Sequence, residues 1–419
     1  MSNQFRDLVP APDHPRVRGL AARDAYSHAD RMMESPRGKD FVAWRLARLA
    51  EPFVGVTADG RRREGLFPRA EEGAPVAAME AAARALLAGA SAEEAALIRH
   101  PLDAPEWRAW SNPELYINRH GLRLDAHGAR LREAVLALVR ASLSAQGFAK
   151  ARGCMRINHF LGALVNAPRV MNEYSYNFLL FGEPSLTEPW GWNLYGHHLA
   201  LNCFVWGGQM VISPVFMGAE PNAVDSGPDA GLTLFDDQER AGLALMRSLA
   251  PPLQARAQVY KLMKDPAMPP GRWHPADQRH LGGAFQDNRV IPYEGVTGAQ
   301  LGPPQRAGLL ALTEAFLDYL PDGPRRARMS EIERHLDETH FCWIGATGDE
   351  DPFYYRIQSP VVMVEFDHHS GVFLTNAEPA KCHIHTIVRT PNGNDYGKDL
   401  LRAHYEKVHP GLRPGGLAA

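Results

Sequence analysis

The sequence predicts an α+β protein: a mainly antiparallel sheet built from middle and C-terminal strands, packed by helices, with a helical N-terminal region. Two observations carry this reading. Segments rich in Ala, Leu, Arg and Glu with apolar residues at helical spacing dominate the early chain. From about residue 173 the period shortens, and β-branched and aromatic runs separated by Gly, Asp and Asn turns appear there and again after residue 340. At 419 residues the chain can bury a substantial core. It is expected to divide into a helical region, 1–153, packed on an α+β domain, 154–419.

The stretches 76–100 and 124–153 read as helices, and Ser91 with Glu94 forms a capping box inside the first. "WNLYGHHLALNCFVW" and "QMVISPVFMG" read as a hairpin joined at Gly207-Gly208, whose glycines supply the positive φ of a tight turn. A helix with an acidic first turn follows over 234–263 and is expected to break at Pro251-Pro252. Residues 281–296 read as a polar loop, 303–320 as a helix, and "PDGPRR" as a break. Four strands, "HFCWIG", "FYYRIQS", "VVMVEFD" and "HIHTIVR", and a closing helix over 399–409 complete the order.

The composition excludes several classes. A net charge of −3, with hydrophobics at 45%, is that of an ordinary globular chain, with no basic stripe for nucleic acid. No apolar run is long enough to span a membrane, and the N-terminus lacks a secretory pattern, so a cytoplasmic location is expected. Cys154, Cys203, Cys342 and Cys382 form no CxxC pair. No phosphate-binding loop, dinucleotide fingerprint or serine elbow is present. A small-molecule substrate is the expected partner, and the composition is compatible with a homo-oligomer.

Chemistry concentrates near the C-terminus. In an extended strand alternate residues share a face, so His383, His385 and Arg389 point one way, and Ile384, Thr386 and Val388 the other. The same parity sets Glu365 and Asp367 against Val362, Val364 and Phe366. If the two strands are neighbours, imidazoles and carboxylates meet, a donor set suited to a divalent metal such as zinc, iron or manganese. The competing reading is an ordinary cross-strand charge pair.

In "YGHHLALN", extended parity puts His198 with Asn202 on a functional face and His197 on an apolar one, as a hydrogen-bonded core histidine. His198 is a third ligand or a general acid-base, since imidazole titrates near neutrality. Arg356, Arg389 and Arg289 are candidate clamps for a substrate carboxylate, or members of internal ion pairs. Glu220 reads as closing a loop, and His368 and His369 as part of a solvated turn.

Four phrases, "WGWNLYGHHLALNCFVWGGQMVISPVFMGAEP", "GGAFQDNRVIPYEGV", "YYRIQSPVVMVEFD" and "HIHTIVRTPNGNDYGKDLLRAHY", together resemble a bacterial domain-of-unknown-function family, number thirty-five hundred, over roughly 125–409. The resemblance implies one family-wide globular unit, whose members often look exported, and brings no activity or metal with it. The side chains themselves point to a metal-dependent enzyme. The expectation is a hydrolase acting on a small carboxylated or amide-containing metabolite through a metal-activated water: His383, His385 and Glu365 or Asp367 hold the cation, His198 and Asn202 assist catalysis, and Arg356 or Arg389 orients the substrate. The alternatives are a non-haem iron oxygenase with two histidines and one carboxylate, and a metal-free protein that binds an anion or small molecule.

Overall fold

Capping signals in the sequence set the helix ends. In the computed structural model, which describes residues 4–408, Ser91 and Glu94 make the reciprocal capping box that separates α3 (Val76–Gly89) from α4 (Ala92–Ile98), after α1 (Ala25–Glu34) and α2 (Pro36–Ala50). The stretch expected as one helix over 124–153 is two, α5 (Ala129–Ser142) and α6 (Ala145–Leu164). Ser144 caps the second by accepting the Gly147 N–H. The break at Pro251-Pro252 separates α7 (Asp236–Ser248) from α8 (Pro251–Ala257). "PDGPRR" is not a simple break. After α9 (Pro303–Glu314) it opens α10 (Asp322–Arg334), because Pro324 falls in the first turn, where no backbone N–H has a helical partner. The closing helix, α11, runs over Lys398–Val408, and His409 lies outside the described residues.

The strands form one sheet. In chain order they are β1 (Arg99–His100), β2 (Leu122–Arg123), β3 (Tyr176–Phe181), β4 (Trp190–Gly196), β5 (Leu199–Trp206) and β6 (Gln209–Ala219). They continue as β7 (Gln258–Tyr260), β8 (Val296–Thr297), β9 (His340–Gly345), β10 (Phe353–Gln358), β11 (Met363–His368) and β12 (Ile384–Arg389). The spatial order is β1-β3-β4-β5-β6-β12-β11-β10-β9-β7, with β2 on β3 and β8 on β9. Pairing is antiparallel except for β1 with β3 and β7 with β9. The middle and C-terminal strands thus join through β6 and β12, and the protein is α+β.

The two faces of the sheet have different partners. Ile384, Val388, Val364, Phe366, Leu201 and Val215 belong to the largest apolar cluster, whose members include Leu131 and Val135 of α5, Met155 of α6 and Leu312 of α9. On the other face Phe216, Ala200 and Ile387 pack with Trp107, Trp110, Phe285 and Leu400, and Phe41 and Trp44 of α2 lie against them. That second face also carries the polar residues of β11 and β12.

The β5–β6 turn at Gly207-Gly208 is held from outside: the Glu72 and Ala74 N–H groups both donate to the Gly208 carbonyl at 3.0 Å. Gln209 Nε2 donates to the Glu72 carboxyl at 2.8 Å. Burial pushes the Glu72 carboxyl up to about 7, a rise the Gln209 bond opposes and the nearby Glu331 reinforces. The folded protein therefore holds this proton more tightly than the unfolded chain. The stability gained is complete below about pH 4 and is lost as pH rises through 7. Urea unfolding at pH 5 and pH 8 is expected to show Glu72→Gln gaining on the wild type at the higher pH only, by about 1–3 kcal/mol; an equal difference at both pH values would refute the assignment.

Candidate metal centre

Strand period and one tight turn bring the histidines together. His383 and His385 lie on one side of β12, and β11 is its antiparallel neighbour, with Asp367 opposite His385 and Glu365 opposite Ile387. On the other flank His385 faces Gly218 of β6. His197 and His198 are not extended. They form the two-residue turn between β4 and β5, and His198 takes a positive φ of 59°. The turn is anchored: the His198 N–H donates to the Asn112 carbonyl at 3.1 Å, and the His198 carbonyl accepts the Gly218 N–H at 2.8 Å.

The result is a triangle of imidazole nitrogens. The Nε2 atoms of His198, His383 and His385 are separated by 3.1, 3.3 and 3.0 Å, and all three side chains are buried. A ring nitrogen is either a protonated donor or a lone-pair acceptor. Three atoms with two states cannot alternate around a triangle, so at least one contact sets donor against donor or lone pair against lone pair. A cation that accepts three lone pairs removes the conflict. The His383 Nδ1 lies 2.8 Å from the Ser370 carbonyl, which accepts a proton there and leaves Nε2 as the lone-pair nitrogen.

The electrostatics agree. Burial, then the neighbouring histidines, holds His198 and His385 well below the usual imidazole range, so both are neutral near pH 7, the form that ligates. Nitrogens 3.0–3.3 Å apart lie about 1.8 Å from their common centre. That spacing would let His198, His383 and His385 hold one divalent cation together, which would act there as a Lewis acid.

A cavity of about 530 Å³ leads to this cluster, and His198, His385 and His369 line it. Trp44, Phe41 and Phe285 form apolar wall, while Arg279, Lys264 and Asp277 add charge. The shape suits a small molecule with an apolar body and a polar head.

The other sequence candidates occupy definite places around the cluster. The Glu365 carboxylate accepts the Leu281 and Gly282 N–H groups at 2.9 and 2.8 Å and the Tyr354 hydroxyl at 2.6 Å. Burial pushes its pKa up, but His280, Arg356 and these bonds outweigh that and hold it below the carboxylate range. Asp367 accepts from Arg279 Nε at 2.6 Å, and its second oxygen lies 3.3 Å from His369 Nε2. Neither carboxylate enters the triangle. Asn202 sits where the β5–β6 register shifts and donates to the Pro214 carbonyl at 2.8 Å, away from the cavity lining.

The arginines are turned inward. Arg356 donates to Glu294 and to the Pro292 carbonyl, each at 2.9 Å. Arg389 bridges Asp287 and Asp395 at 2.9 and 2.8 Å and donates to the Gly282 and Gly283 carbonyls. Arg289 donates to the Leu281 carbonyl at 3.3 Å. None of these three lines the cavity. Glu220 closes a loop, accepting the N–H groups of Val372, Phe373 and Leu374 at 2.8–3.1 Å. His197 bonds Asn158 at 2.8 Å, and burial lowers its pKa to about 4.

Two histidines were not legible as site residues. His369, expected in a solvated turn with His368, is 1% exposed, because the chain after β11 folds back over β12 and the His369 N–H donates to the His383 carbonyl at 2.7 Å. His280 lies in the covering loop, 2% exposed, with no hydrogen-bond partner on either ring nitrogen. A neutral imidazole carries one N–H, so one buried donor there is unmet, at a cost of about 1–3 kcal/mol. A Gln-Arg-His-Leu-Gly-Gly sequence gives no periodic signal of this placement.

Fold and site together define a class: an α+β protein with a cavity ending at a cluster of buried histidines. The chain belongs to the family described as "Protein of unknown function (DUF3500)", whose model matches residues 72–398. No curated protein and no solved structure matches it.

Gly218 is a position that only this packing explains. A Cβ there would lie 2.9 Å from the Ile384 carbonyl oxygen and 3.0 and 3.1 Å from the rings of His198 and His385. Gly218→Val is expected to force the two rings apart and cost about 1–3 kcal/mol in urea unfolding, with Gly218→Ala milder. Unchanged stability in Gly218→Val would mean the rings do not crowd this glycine.

Proposed function

We propose that this protein is a metal-dependent enzyme, a hydrolase for a small carboxylated or amide-containing metabolite, whose cation is held by His198, His383 and His385. The observation that carries this is the triangle of Nε2 atoms at 3.0–3.3 Å, which no arrangement of protons satisfies. Three neutral imidazoles leave the full charge of a divalent cation available to a bound water, whose pKa falls to about 7. Bound there, such a cation would supply a water acidic enough to ionise near neutrality, the chemistry a hydrolase needs.

The chain's own residues divide the remaining work. His198 is a ligand in this reading rather than a proton shuttle, because its Nε2 is one corner of the triangle. The aromatic wall of Trp44, Phe41 and Phe285 takes the apolar part of the substrate, and Lys264 at the lining attracts its negative group. Burial around the cluster lowers the local dielectric and strengthens these interactions. A two-histidine, one-carboxylate iron site built on His383 and His385 is less well supported, since neither Glu365, which already accepts three N–H and O–H donors, nor Asp367 enters their triangle.

Elemental analysis of untagged protein should find zinc, iron or manganese at one or more equivalents per chain. A His198→Ala, His383→Ala double variant removes two of three lone pairs, so its affinity at this site is expected to fall by at least about a hundredfold. Hydrolysis of small carboxylated esters, lactones or amides should disappear on chelation and return with the metal. A metal-free protein after reconstitution would favour the anion-binding alternative, and full metal retention in the double variant would sink the ligand assignment.

A further inference from the structure

The three-histidine reading leaves a second group of donors unused. His280, His369 and His385 have ring nitrogens within 4.8 Å of one another. His280 has both nitrogens unpartnered, and so has His369 its Nε2, in side chains that are 2% and 1% exposed. Beside them the Asp367 Oδ2 is also unpartnered, 3.3 Å from His369 Nε2, in a fully buried carboxyl. Arg279 grips the other oxygen at 2.6 Å and leaves Oδ2 beside His369. An ordinary core histidine uses at least one ring nitrogen in a hydrogen bond, as His197 does with Asn158. His280 uses neither.

We propose that His280 and His369, with Asp367 Oδ2 beside His369 and the His385 ring between the two sites, form the place of a second divalent cation next to the first, so that the cavity ends in a two-metal centre. The inference rests on the three-histidine reading for its first ion and deepens it. The surroundings differ in charge: three imidazoles around the first ion, and two imidazoles with the Asp367 carboxylate beside His369 around the second. Nitrogen with carboxylate oxygen suits zinc, manganese or iron(II). The rings of His280 and His385 meet at 88° with centroids 5.7 Å apart, and those of His369 and His385 lie 3.9 Å apart, so His385 borders both sites. His369 and His385 also line the cavity, which gives an ion and a substrate a route in. Two cations held by these residues would supply Lewis-acid chemistry at the end of the cavity.

The test uses the untagged full chain, stripped with a chelator and dialysed against Zn²⁺, with zinc per chain read by mass spectrometry. Electron paramagnetic resonance of the Mn²⁺-loaded protein reports whether two ions sit close enough to couple. The wild type is expected to hold two ions, coupled as Mn²⁺. His280→Gln and His369→Gln are each expected to hold one, and so is His383→Gln. A wild type that saturates at one ion, kept unchanged by His280→Gln and His369→Gln, overturns the second site and leaves the first reading standing. Two ions retained in both variants overturn the ligand assignment. No ion in the wild type overturns both readings, and because stoichiometry and coupling are read on the wild type, a variant that fails to fold does not spoil the experiment.

Discussion

The pairing of β6 with β12 is the constraint on which the site depends. It sets Gly218 opposite His385, and the Gly218 N–H also reaches across to the His198 carbonyl, so one strand fixes the positions of histidines 187 residues apart in sequence. The register is discrete: a slip of one residue would turn His383 and His385 to the other face and bring Ile384 and Val388 out of the main core. Burying each of those two side chains is worth about 1.5–3 kcal/mol. The apolar face of β12 thereby holds the polar face in place.

The buried charges have a related task. Arg389 joins Asp287 and Asp395 and grips the Gly282 and Gly283 carbonyls, while Glu365 receives the Leu281 and Gly282 N–H groups. Between them they clamp the backbone that follows His280 onto the sheet. Buried ion pairs contribute little net stability, because desolvation offsets the attraction, but removing one partner strands the other. Their effect here is positional: they hold a loop without regular structure at a defined distance from β11 and β12.

What they enclose is an interior rich in lone pairs and poor in protons. Burial, with the mutual repulsion of the neighbouring charged forms, suppresses protonation of His198, His369 and His385. In water such rings would be solvated singly. The Nε2 atoms of His198, His383 and His385, 3.0–3.3 Å apart, cannot all be paired by protons, and a divalent cation is the partner that chemistry offers to such an array.

Several parts of this were legible from local signals. Period-two alternation puts His383 and His385 on one side of a strand and Ile384 and Val388 on the other, and the Gly-Gly pair and the Ser-x-x-Glu box mark their turn and helix start. Local signals failed at the His197-His198 turn, where no Asn-Gly or Gly-Gly pair stands at the centre and strand-like neighbours continue the alternation through it. They also made His369 look solvated and left Arg356 and Arg389 open between substrate clamps and internal ion pairs, because burial and ion pairing depend on segments that are distant in the chain. The sequence by itself determined the element types and the division of each strand into an apolar and a polar face, since both follow from side-chain periodicity. Only the tertiary structure decided which polar faces meet, because the approach of His198 and His280 to His385 depends on strand register and loop closure across more than a hundred residues, and no local pattern records it.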